Sequence, residues 1–88
     1  MKSSELIEAL ELAGIRVPVV VNGMTHDSFS VSETPAGQWE VFYSERGSKY
    51  DRKVFNSEHD ACLYFFDSHG GVDAAISRLR ALSKPDAL

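Results

Sequence analysis

Residues 39–55 read WEVFYSERGSKYDRKVF, and how this stretch is read decides the fold. From 39 to 44 the side chains alternate with the period of a strand, Trp39, Val41 and Tyr43 on one face and Glu40, Phe42 and Ser44 on the other. After a turn at Arg46, Gly47 and Ser48 the alternation resumes, with Tyr50, Arg52 and Val54 set against Asp51, Lys53 and Phe55. Two such runs predict a long-loop hairpin, and with it an antiparallel sheet.

Working outward, the serine-spaced residues Phe29 and Val31 predict a half-buried strand, and the TPAG turn at 34–37 joins it to the hairpin. The β-branched run at 17–21 reads as a first strand that Pro18 confines to an edge or to its own beginning, followed by an Asn22-Gly23 turn. Ahead of it Leu6, Ile7, Leu10 and Ala13 recur at helical spacing, with Ser3 or Ser4 as cap and Gly14 as stop. Beyond the hairpin, SEHD at 57–60 opens a helix with a wide apolar face, Ala61, Cys62, Phe65 and Phe66, which His69-Gly70-Gly71 ends. A last helix carries Val72, Ala75, Ile76, Leu79 and Leu82 inward and Arg78, Arg80 and Lys84 outward, closed by Pro85. The expected architecture is a single α+β domain over 1–88, an antiparallel meander of three to four strands with one N-terminal and two C-terminal helices packed on it.

The 88 residues leave little core to spare for a deep catalytic cavity. The formal charge of -4 argues against a general phosphate-backbone binder. Charge is uneven along the chain: residues 1–45 hold seven acids against two bases, residues 46–88 seven bases against six acids. Such asymmetry suits a charged protein partner. A lone Cys62 cannot form an internal disulfide, and no stretch approaches a membrane span, so the chain reads as cytoplasmic. Oligomeric state is open: an exposed strand near Pro18 could pair two copies, or the proline could be there to prevent it.

No constellation points to catalysis or to a cofactor. His59, Cys62 and His69 share a helix, but His69 stands three turns from His59, so the three cannot converge on one metal ion. Cys62 lies past the helix cap among apolar neighbours, which raise a thiol pKa and disfavour a nucleophile. His26-Asp27 lacks an accompanying Ser or Cys motif. The one basic cluster, 46–53, interleaves with Tyr43 and Tyr50 and is open to three readings: a solvated hairpin, an acidic protein partner, or single-stranded nucleic acid. The segment order is similar to that of the double-stranded RNA-binding domain, but the two acids in SEHD stand where that fold needs a basic helix start. Tyr64, Phe65 and Phe66 put more aromatic surface on one helix than a core face usually hides, so Tyr64, or Trp39 from the strand, is a candidate exposed anchor.

WEVFYSERG, followed by FNSEHDACLYF at 55–65, resembles a pattern in small bacterial immunity proteins encoded beside polymorphic or contact-dependent toxins. The likeness covers residues 37–66. It implies a non-enzymatic cytoplasmic inhibitor that binds a cognate toxin domain, a nuclease or an NAD-consuming enzyme, and occludes its active site. A physical mechanism follows as a hypothesis, since an acidic inhibitor is steered toward the basic cleft of such a toxin. The candidate contacts are then Glu8, Glu11, Glu33, Glu40 and Glu45 for steering and Tyr43, Arg46 and Tyr64 as anchors. Against an acidic toxin surface, Arg46, Lys49, Arg52 and Lys53 would serve instead. A nucleic-acid-binding or regulatory domain is the alternative.

Overall fold

The computed structural model describes residues 1–83, in the order α1 (Ser3–Leu12), β1 (Val19–Val21), β2 (Ser28–Glu33), β3 (Trp39–Glu45), β4 (Ser48–Phe55), α2 (Glu58–Ser68) and α3 (Gly71–Ser83). The chain is α+β, with a four-stranded sheet in the order β1-β2-β3-β4. Lys84 and Pro85, expected at the end of the last helix, lie outside the described residues.

The β3–β4 hairpin is tighter than its sequence suggests. Glu45 pairs with Ser48, so Arg46 and Gly47 alone make the turn. Both have positive φ, 52° and 79°, as in the primed turns whose twist matches that of the flanking strands. Further along, Val41 pairs with Lys53 but Tyr43 with Tyr50, so Asp51 and Arg52 together oppose Phe42. This bulge turns on Asp51, whose φ of 53° is left-handed. It corrects the expected alternation of β4: the register sets Tyr50 on the same face as Lys53 and Phe55, while Lys49 and Arg52 both reach Glu40 on the opposite face.

The pairing of β1 is a second correction, because Val19, Val20 and Val21 run parallel to Phe29, Ser30 and Val31 and the sheet is mixed. A parallel neighbour usually needs a crossover of a dozen residues or more. Here the strand is only three residues long, so the segment 22–27 suffices to return the chain. That segment lies over the serine face of the sheet, where the Ser44 hydroxyl donates to the Thr25 carbonyl at 2.6 Å and Asn22 Oδ1 accepts from the Glu33 amide at 2.9 Å. Ser28, Ser30, Ser44 and Phe42 are therefore buried, although alternation alone leaves their face to solvent. Small serine side chains let the loop backbone approach the strands.

On the other face α2 lies across the sheet, and Ala61, Cys62, Phe65 and Phe66 join Val31 and Val41 in the core. Leu6 and Leu10 of α1 complete it. Ser3 is the first residue of α1 rather than its cap, a place taken by Lys2. Instead, the Ser3 amide and hydroxyl both donate to Glu58 Oε2 at 2.8 Å, so a side chain of α2 satisfies the open end of α1. Within α1 itself, the Lys2 amide donates to Glu5 Oε1 at 2.7 Å.

The last helix departs furthest from expectation. α3 packs chiefly against α2, with Gly71 pressed to the Phe66 ring, and its inward-assigned residues Ile76, Leu79 and Leu82 are 42%, 64% and 78% exposed. The Cα radius of gyration is 15.0 Å, against about 12 Å for a compact chain of this length.

Candidate functional site

An open cleft of about 370 Å³ runs between α2 and the β3–β4 hairpin, lined by Phe29, Val41, Phe42, Tyr43, Asp51, Lys53, Tyr64, Ser68 and His69. Two of the anchors expected from sequence, Tyr43 and Tyr64, meet in it. Tyr64 is 38% exposed and its ring lies 5.1 Å from that of Phe55. Its helical neighbours Phe65 and Phe66 turn into the core. Trp39, the other candidate exposed anchor, is half-buried against the core instead.

The back wall is an aromatic stack. His69 lies parallel to Phe65 at 4.1 Å and edge-on to Phe29 at 4.8 Å, and Phe29 meets Tyr43 at 5.0 Å. His69 Nδ1 is 2.9 Å from the Phe65 carbonyl oxygen, which only accepts, so Nδ1 carries a proton and Nε2 is the acceptor of the neutral ring.

A polar relay ties the cleft to the hairpin tip. The Tyr43 hydroxyl donates to Asp27 Oδ1 at 2.9 Å, His26 Nε2 stands 3.3 Å from Asp27 Oδ2, and His26 Nδ1 accepts the Arg46 amide at 3.0 Å. The bond to Asp27, then desolvation, holds the Tyr43 hydroxyl above its ordinary range. His26 and Asp27 thus brace Tyr43 and Arg46.

The remaining sequence candidates lie elsewhere. Glu40 is 6% exposed, with Lys49 Nζ at 2.7 Å and Arg52 Nε at 2.6 Å. Desolvation raises its pKa, but the bonds from Lys49 and Arg52 together outweigh this and hold the carboxyl below its ordinary value. Its charge is met inside the fold, and so are two of the four cations of the basic cluster. Glu8 and Glu11 stand exposed on α1, which contributes nothing to the cleft, and Glu33 is exposed at the end of β2. Glu45 flanks the hairpin turn.

Lys53, a candidate contact for an acidic partner, lines the cleft opposite Val41, beside Asp51, which the sequence analysis did not single out; its signal is an aspartate, tolerant of left-handed backbone, in mid-strand. Cys62 is fully buried, and desolvation followed by the nearby Glu58 charge pushes its thiol up to about 11. Among the described residues no group of three or more His, Cys, Asp or Glu could hold a metal ion, and no helix is long and apolar enough to cross a membrane. No family model matches the chain, and neither a curated protein nor a solved structure matches it significantly.

Proposed function

We propose that this protein is a non-enzymatic inhibitor of the immunity type, which binds a cognate toxin domain in the cytoplasm and uses the cleft between α2 and the β3–β4 hairpin to seat part of that partner. The observation that carries the reading is the convergence of Tyr43 and Tyr64 beside Asp51 and Lys53 in one open cleft. Aromatic rings over a packed floor, rimmed by charges of both signs, are the composition of a binding hot spot. The motif resemblance points the same way. Of its residues, Val41, Phe42, Ala61, Cys62 and Phe65 are buried, whereas Arg46 and Tyr64 are exposed and Tyr43 is half-buried.

Arg46 adds support from its backbone. A non-glycine residue at φ 52° stores strain that asparagine or glycine would relieve, and strain held at an exposed turn is a feature of binding sites. The nucleic-acid alternative loses ground, since Lys49 and Arg52 are already paired with Glu40.

The test is affinity capture from source-cell lysate with wild-type and Tyr64→Ala baits at low and high salt, followed by mass spectrometry and nuclease digestion. A toxin domain recovered in stoichiometric amount by wild type and depleted at least tenfold by Tyr64→Ala is the expected result, the size of one modest hot spot. Recovery of nucleic acid alone, or of the same protein equally by both baits, overturns the proposal.

A further inference from the structure

A second hollow lies on the flank of the cleft. Asp60, Leu63, Tyr64, Asp67 and Val72 line about 350 Å³ of open space, and Tyr64 belongs to both hollows. Positions 60, 63, 64 and 67 follow the i, i+3, i+4, i+7 spacing of one helix face. A single stripe of α2 therefore sets Leu63 and Tyr64, 42% and 38% exposed, between two carboxylates.

The charge of this surface has one dominant sign. Asp51 of the cleft and Asp60 and Asp67 of α2 make no ion pair and no side-chain hydrogen bond with any described residue. Lys53 is the one lysine or arginine among the described residues that line the two hollows, since Lys49 and Arg52 are turned to Glu40. Ser68 and His69 also bring the C-terminal end of α2 to the cleft, and no basic residue in its last turn offsets the negative end of the helix dipole.

We propose that this surface seats a basic segment of the protein partner, with one lysine or arginine at Asp60, a second at Asp67, and the stems of both lying over Leu63 and Tyr64. Asp60 and Asp67 are two turns apart, about 10 Å along the axis, so each meets its own cation. Long cationic side chains cover apolar surface with their stems while the charge stays at a carboxylate, and a guanidinium over the Tyr64 ring adds a cation–π contact. A second copy of this chain does not fit, because the same stripe on two copies opposes carboxylate to carboxylate; nucleic acid is repelled by the same charges. The inference rests on the reading of the cleft as the seat of a protein partner and adds the sign of that partner's surface. It also moves the steering role from Glu8 and Glu11 on α1 to α2.

Titration of the isotope-labelled full chain with nona-arginine and with nona-glutamate, followed by amide shifts, tests it. The expected result is nona-arginine binding with shifts concentrated at 60–67 and at Asp51. Its dissociation constant should rise about tenfold in the Asp60→Asn, Asp67→Asn variant, the size of two exposed charge pairs, and stay unchanged in Glu8→Gln, Glu11→Gln. Both aspartates are exposed, and circular dichroism checks that their variant is folded. No binding of nona-arginine, shifts concentrated on α1, an affinity that the aspartate variant leaves unchanged, or preference for nona-glutamate overturns the proposal. The aspartate variant as bait separates this inference from the inhibitor reading. A toxin captured equally by variant and wild type overturns the basic segment and leaves the inhibitor standing. Nona-arginine held at α2 by a protein that captures only nucleic acid from lysate upholds the basic-binding surface and overturns the inhibitor.

Discussion

Arg46 joins a backbone cost in folding to the contact proposed for it in binding. Its φ of 52° is compatible with an L-residue only at some cost. Arg46→Asn keeps the amide that donates to His26 and supplies the side chain this turn prefers. We expect it to raise stability by about 0.5–1 kcal/mol in urea unfolding while weakening toxin capture; a variant that gains stability with capture unchanged removes Arg46 from the interface. Glu40 shows the opposite case, since a carboxylate that looks like a surface charge in the sequence is an internal tie between strands. What misleads is the alternation of β3, which says which face Glu40 occupies but not that Lys49 and Arg52 both arrive there. The bulge at Asp51 brings Lys49 to the face that Arg52 and Val54 share by alternation.

Among the elements, α1 is held by a cap borrowed from α2. The Ser3 amide and hydroxyl, and then desolvation working against them, set the Glu58 pKa, which stays below its ordinary value. Glu58→Ala should cost about 0.5–1 kcal/mol, modest because the site is partly open to solvent, and amide exchange should quicken in the first turn of α1 ahead of the sheet. Uniform acceleration across both would mean that the contact does not act as a cap. At the junction of α2 and α3, a Cβ on Gly71 would stand 2.6 Å from three carbons of the Phe66 ring, a core residue 8% exposed. Gly71→Ala is therefore expected to destabilise by about 1–3 kcal/mol in thermal or urea unfolding. A neutral effect would show that Phe66 can swing clear. The sequence marks Gly70-Gly71 as a helix stop, and this is right for α2; the close approach of the second glycine to a ring is visible only once α3 has folded back on α2.

For the molecule as a whole, Glu40 and Glu58 contribute to the acid limb of stability. Both have folded pKa values below the ordinary 4.5, so below that pH the unfolded chain binds protons that the folded one resists. Their contribution is full above pH 4.5 and is lost as pH falls through the folded values. Urea midpoints of the Glu40→Gln, Glu58→Gln double variant should fall less steeply below pH 4.5 than those of wild type; parallel profiles would assign the acid limb to other groups. By itself the sequence determined the α+β class, all seven elements to within a few residues, and the core helix face of Ala61, Cys62, Phe65 and Phe66, because periodicity and turn chemistry are local properties. Tertiary structure alone decided the parallel pairing of β1, the covering of the serine face by 22–27, the register of β4 beyond Asp51, and the meeting of Tyr43 with Tyr64. Each of these depends on which distant backbone arrives beside a given residue, and in an 88-residue chain one left-handed aspartate or one three-residue strand is enough to change that arrival.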